Sequence, residues 1–148
     1  MKLRRLTSLS ALLCLACAAP VPPDLGIGSG RLAPCPESPN CVSTAETGEH
    51  YTAPFRLAKP AGEAWQEARE AVLSLPRTRI VRASEDYLHA ESTTPLLRFV
   101  DDLELHLLAD RQQIAVRSAS RSGWSDLGAN RERVWELRQA MQAQGTLR

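Results

Sequence analysis

A chain of 148 residues with a formal net charge of +1 has room for one domain and a leader. Without residues 1–16 the balance becomes 15 basic against 17 acidic residues, a net of −2. So weak a charge argues against nucleic acid and anionic lipid as partners, because both need a concentrated basic patch.

Lys2, Arg4 and Arg5 form a positive n-region, and Leu6 to Ala16 a short apolar run. That run is too short to cross a bilayer as a permanent helix, which takes roughly 20 apolar residues. Residues 1–16 therefore read as a cleaved signal peptide. Two cleavage routes are open. A lipoprotein cut before Cys17 would make Cys17 a lipid anchor; Ala16 suits it, and Cys14 stands where a lipobox usually has Leu. An ordinary cut after Ala16-Cys17-Ala18 would release a secreted or soluble periplasmic protein. The lipoprotein is preferred, because a cysteine closing an h-region has no better use. The expectation is a cell-envelope lipoprotein, membrane-anchored and facing the periplasm. Cys14 and Cys17 as mere apolar filler is the alternative.

Residues 17–34 hold the anchor cysteine and a Pro-, Gly- and Ala-rich stretch without periodicity, read as a flexible tether. Cys35 and Cys41 lie in CPESPNC. In an exported chain a disulfide is the natural reading, with Pro36 and Pro39 helping the loop to close. Free thiols are the main alternative. A structural zinc lacks ligands, since no His pair lies near. The single domain is expected over residues 35–148.

Phe55-Arg56-Leu57 reads as a short strand. Pro60 opens a helix, in which Trp65, Ala68, Val72 and Leu75 recur at helical spacing until Pro76 ends it. Arg79 to Ala83 and Tyr87 to Glu91 read as strands around a Ser84-Glu85-Asp86 turn. Pro95 breaks the chain before a long hairpin. In the hairpin Phe99, Asp101, Leu103, Leu105 and Leu107 share one face, and Ile114, Val116, Ser118 and Ser120 share it on the return. A turn at Asp110-Arg111 pairs Leu107 with Ile114, Leu105 with Val116, Leu103 with Ser118 and Asp101 with Ser120. It also sets Glu104 opposite Arg117 on the outer face. Asn130 is the expected N-cap of a last helix, with Val134, Leu137, Ala140 and Met141 as its apolar stripe. The order β-α-β-β-β-β-α predicts a two-layer α+β domain, an antiparallel sheet of about five strands with two helices on one face.

CPESPNCVS at 35–43, DYLHAE at 86–91, RFVDDLEL at 98–105 and RSASRSGWSDLGANRER at 117–133 together resemble the domain of unknown function 1499 family. The resemblance runs in order over the mature domain. It implies an exported or membrane-associated α+β domain and implies no chemistry.

The sharpest residue is Asp101. Alternation puts it in the core-facing row, where a carboxylate must be paired or hydrogen-bonded. Candidate partners are Ser120, Arg98, Arg121, Arg131 and the backbone of the Gly123–Gly128 loop. Asp101 is then either a clamp pinning that loop to the sheet, or part of a polar pocket with Ser120, Arg121, Asn130 and Arg131 for an anionic or hydroxylated ligand. General-base catalysis is the third reading. Asp102 is expected in solvent with Glu104 and His106. Asp102 and His106 are no metal pair, since four residues of strand span roughly 13 Å. The serines form no nucleophile elbow, no His follows them, and no glycine-rich phosphate loop is present. Trp65 reads as core; Trp124 and Trp135 are candidate exposed contacts. No cofactor or metal is expected. The functional expectation is a non-catalytic envelope domain that binds a partner protein or small ligand. The alternative is an envelope enzyme using Asp101 and nearby arginines.

Overall fold

Period-two alternation in the last third of the chain builds the centre of the sheet. In a computed structural model, which describes residues 19–148, β7 (Val100–Leu108) and β8 (Gln113–Ser120) pair antiparallel around a 3-10 turn at Ala109–Arg111. The expected signal peptide 1–16 and the lipid anchor Cys17 lie outside the described residues. The predicted register holds: Leu107 faces Ile114, Leu105 faces Val116, Leu103 faces Ser118, Asp101 faces Ser120, and Glu104 faces Arg117.

β6 (Tyr87–Thr93) pairs with β7, and β5 (Thr78–Ala83) with β6, both antiparallel. On the far side β8 pairs with two short strands, β3 (Cys41–Ser43) and β4 (Phe55–Arg56). The sheet therefore has six strands, in the order β3-β8-β7-β6-β5 with β4 beside β8. The strand missing from the sequence reading is β3, three residues inside a Pro-rich stretch, too short to show alternation.

Helix α1 (Ala61–Ser74) turns Ala64, Trp65, Ala68, Ala71 and Val72 inward, and α2 (Ala129–Ala143) turns Val134, Leu137 and Met141 inward. These stripes pack with Phe55, Leu88, Leu103, Leu105, Ile114 and Val116 in one core. Burying each such Val, Leu or Phe side chain stabilises the fold by roughly 1.5–3 kcal/mol. The result is the two-layer α+β architecture. No helix among the described residues is long and apolar enough to cross a membrane.

The other face of the sheet departs from the sequence reading. Asp102, Glu104 and His106 are buried, not solvated. The cover is the N-terminal segment, which reads from sequence as a loose tether. From Pro22 onward it lies against the outer face. The Gly26 N–H donates to Glu104 Oε1 at 2.8 Å, and the Arg117 guanidinium lies 3.8 Å from Asp24 Oδ2. Residues Ile27–Gly28 (β1) and Arg31–Leu32 (β2) form a two-stranded hairpin, and Leu32 is buried. Glycine and proline in 17–34 serve tight turning there: Ser29 and Gly30 both have positive φ at the hairpin tip. The folded unit thus begins well before Cys35.

The Cys35–Cys41 disulfide is present, with Cα atoms 5.7 Å apart. It closes the segment that leads from this cover into β3. Cys41 then pairs with Ala119 in the sheet.

Candidate functional site

The helix-facing row of the sheet is apolar near the β7–β8 turn and polar at its open end. Leu103 and Leu105 give way to Asp101, and Val116 to Ser118 and Ser120. Two loops leave the sheet at that open end, residues 94–99 before β7 and residues 121–128 between β8 and α2. Between them lies a cavity of about 300 Å³. Asp101, Ser120 and Ala129 belong to its wall, with Leu96, Leu97, Phe99 and Leu127 from the loops. The polar groups of the lining are hydroxyls and carboxylates, from Thr94, Asp101, Ser120, Ser122, Ser125 and Asp126, with no Lys, Arg or His among them.

The rim is unusually apolar for a free surface. Leu96 is 90% exposed, Leu127 97% and Trp124 72%, and Leu97 and Phe99 are exposed too. Single exposed apolar residues are ordinary, but a cluster around a cavity marks a binding surface. Phe99 is expected from alternation in the inner row of the hairpin. It precedes the first residue of β7 and follows Arg98 at φ +57°, so the chain has turned out of the sheet before it. Trp135 is exposed on α2, and Trp65 is core, as read from sequence.

Beneath the cavity is a closed polar network. Asp101 is 1% exposed, and Arg133 Nη2 donates to its Oδ2 at 2.6 Å. Arg133 Nη1 donates to Asn130 Oδ1 at 2.6 Å and to Ser118 Oγ at 3.0 Å. Ser118 Oγ donates to Asn130 Oδ1 at 2.6 Å. The Asn130 amide nitrogen lies 2.8–3.0 Å from Asp126 Oδ2, Ser120 Oγ and the Asn40 carbonyl. Asn130 is therefore the hub joining α2, β8 and the disulfide segment. It is not the N-cap: Gly128 holds that position, at φ +86°, and Asp126 accepts the N–H groups of Gly128 and Asn130 at 2.9 and 2.8 Å.

The structure gathers three of the five candidate residues here: Asp101 and Ser120 at the cavity, and Asn130 directly behind them. Arg121 and Arg131 lie elsewhere. Arg131 binds the carbonyls of Tyr51 and Glu49. Arg121 continues the outer row of Arg117 and Ala119, so its side chain lies on the opposite side of the sheet. Strict alternation from Ser118 and Ser120 already excludes it from the Asp101 face. The partner of Asp101 is instead Arg133, absent from the sequence candidates. Its signal was available: Arg133 is three residues after Asn130 and shares its helix face.

The outer face carries a second buried network. Glu91 stands opposite Asp102 in the β6–β7 pairing, a like-charge contact that destabilises unless neutralised. Arg121 neutralises it. Its Nε and Nη2 hold both Asp102 oxygens at 2.8 and 2.6 Å, and Nη2 also reaches Glu91 at 2.5 Å. His89 Nε2 lies 2.7 Å from Asp102 Oδ1. Burial alone would push the Asp102 carboxyl up; hydrogen bonds from Arg121 and His89 outweigh it and hold it below the ordinary carboxylate value. Potential ligand atoms of His89, Glu91 and Asp102 lie within 4.8 Å of one another. The Arg121 guanidinium already bridges the two carboxylates and supplies the cation there. Beside this group, Tyr87 donates to Glu104 at 2.8 Å, and Arg117 Nη1 reaches the other Glu104 oxygen at 3.0 Å.

Fold and site together define a two-layer α+β domain with a polar outer face under an N-terminal cover and an apolar cleft between two loops. The chain belongs to the DUF1499 family, described as proteins of unknown function; the family model matches residues 31–141. No curated protein and no solved structure matches the chain.

Proposed function

We propose that this chain is a cell-envelope lipoprotein whose domain is non-catalytic and binds a small amphiphile in the cleft between residues 94–99 and 121–128. The observation that carries the reading is an apolar cavity whose few polar groups are hydroxyls and carboxylates. Leu96, Leu97, Phe99 and Leu127 offer an apolar chain a place to leave water, while Ser120, Ser122 and Ser125 offer hydroxyls to a head group. The volume, about 300 Å³, stands at the lower end of the range for small-ligand sites, roughly 300–1,000 Å³. A lining of carboxylates and hydroxyls favours a hydroxylated or cationic head group over the anionic one that Arg121 and Arg131 would have served.

Support for the non-catalytic reading is the engagement of Asp101. One of its oxygens is taken by Arg133 within a network that also holds Ser118, Ser120 and Asn130, as suits a scaffold under a binding surface. The envelope placement rests on the basic n-region, the apolar run and Cys17.

Titration calorimetry with n-octyl glucoside, kept monomeric, tests the binding reading. Saturable binding is expected, and Leu97→Asp and Leu127→Asp should abolish it. Both side chains are exposed, so each change should alter stability by within about 0.5 kcal/mol. Absence of binding by the unaltered protein, or binding that both variants retain, would contradict the reading.

A further inference from the structure

The cover segment runs in a direction that matters for the cleft. Its tip, Ser29 and Gly30, lies beside His106, Leu108 and Arg111 near the closed end of the β7–β8 hairpin. Gly26 sits at Glu104, halfway along β7. Pro22 and Asp24 share a groove with Asp102, Ser120 and Arg121 at the open end. Traced backward, the segment therefore travels toward the end of the sheet from which the two apolar loops project. Cys17 precedes Pro22 by five residues. Five extended residues reach at most about 17 Å. A lipid on Cys17 would thus hold a bilayer close to the same end of the domain as Leu96, Leu97, Phe99, Trp124 and Leu127.

We propose that the 94–99 and 121–128 loops seat on the surface of a lipid bilayer, with Trp124, Leu96, Leu97 and Leu127 entering the interface, so that the cleft opens directly onto lipid. The proposal rests on the reading of the cleft as an amphiphile site and names its source: the ligand is drawn from the membrane that anchors the chain.

Three features favour a bilayer as occupant. The apolar side chains come from two separate loops that share one end of the fold, the arrangement a flat surface can meet. The residue types fit the boundary between hydrocarbon and water: Trp124 is an amphipathic ring of the kind enriched at that level, and Arg98, exposed between Leu97 and Phe99, has a stem that can lie along apolar surface while its head stays wet. The entry of the chain at that end sets an upper limit of about 17 Å on the span from Pro22 to Cys17. The weak net charge calls for zwitterionic lipid, with attachment by apolar insertion.

The test uses the full chain reconstituted in phosphatidylcholine vesicles containing lipid brominated in its acyl chains, which quenches tryptophan on contact. Trp65 is buried, and Trp135→Phe removes the other exposed indole, so Trp124 dominates the exposed signal. The expected result is loss of Trp124 emission to brominated lipid and protection from acrylamide in the water. Both effects should diminish in a Leu96→Ser, Leu97→Ser variant. The proposal is overturned if Trp124 stays open to acrylamide and untouched by brominated lipid. It is also overturned if the double variant is quenched as fully as the parent, since the tether alone would then explain proximity. Octyl glucoside binding without vesicles is read separately. If it persists while Trp124 remains unquenched, the cleft reading stands and the bilayer inference falls; if it is absent while Trp124 is quenched, the reverse holds.

Discussion

Arg133 lies across the α2–sheet junction with its Nη2 2.6 Å from Asp101 Oδ2, so the first turns of α2 and the start of β7 are joined by an ion pair at the edge of the core. The carboxylate is 2% exposed at its side chain and the guanidinium 12%. A pair this buried adds little over a well-packed apolar pair, but losing one partner strands the other.

Asp101→Ala should therefore cost about 3 kcal/mol, the low end of the range for breaking a buried pair, because Arg133 keeps Ser118 and Asn130. Asp101→Ala with Arg133→Met should cost less than the sum of the two single changes. Urea melts of the four proteins give the coupling directly. Additive costs would show that the two side chains do not act as a pair.

Asp102→Ala tests the outer face. Read as a solvated residue, Asp102 would cost within about 0.5 kcal/mol on removal. Buried against Arg121 and His89, it should cost on the order of 3–5 kcal/mol, as much as Asp101 or more. Arg121→Lys should restore the charge but not the two-toothed grip on Asp102, and should fall between the parent and Arg121→Met. An unchanged urea midpoint for Asp102→Ala would mean that the N-terminal cover does not bury this face.

The difference between those two aspartates shows where the sequence was readable. Register, turn and inner row followed from alternation alone, because period two is a local property and Leu103, Leu105, Ile114 and Val116 declare the buried side. The outer row of Asp102, Glu104, His106 and Arg117 has the composition of a wet face. Its burial depends on residues 22–34, far away in sequence, and composition does not reveal long-range covering. Likewise Asp101 was legible as a buried carboxylate needing a partner. Arg133 shares the helix face of Asn130 at three residues' spacing, but ranking it above Arg98, Arg121 and Arg131 as the partner requires the rotation of α2. The apolar rim was hidden for the opposite reason: Leu96, Leu97 and Phe99 look like the start of a strand until the chain turns at Arg98.

The disulfide should govern the cleft as well as the N-terminal segment. Just before Cys41, the Asn40 carbonyl accepts the Ser120 N–H at 2.9 Å, and its Nδ2 donates to the Gly123 carbonyl at 2.6 Å. On the chain-entropy model a ring this small contributes about 2 kcal/mol. Cys35→Ser with Cys41→Ser should therefore lower the unfolding free energy by that order and raise hydrogen exchange in residues 121–128. Exchange that rises only in residues 22–41 would show that the ring does not steady the cleft.

Acid should weaken the fold in two steps. Burial holds His106 below its ordinary value of 6.5, with Asp86 offsetting part of the effect. The folded state then binds fewer protons than the unfolded state, so this contribution is complete above pH 6.5 and is lost as the pH falls below it. Asp102 follows the same sign at lower pH. Its contribution is present above 3.8 and is lost as the pH falls through its depressed folded value. His106→Gln should flatten the upper step alone. A profile that keeps its slope from pH 7 to 5 in that variant would assign the upper step to another group.

The cleft itself is tested most directly by two-dimensional NMR of the amide groups during titration with monomeric n-octyl glucoside. Saturable shifts are expected in residues 94–101 and 120–129, with the outer-face residues Tyr87, Glu104 and Arg117 unmoved. Shifts confined to the outer face, or none that saturate, would contradict it.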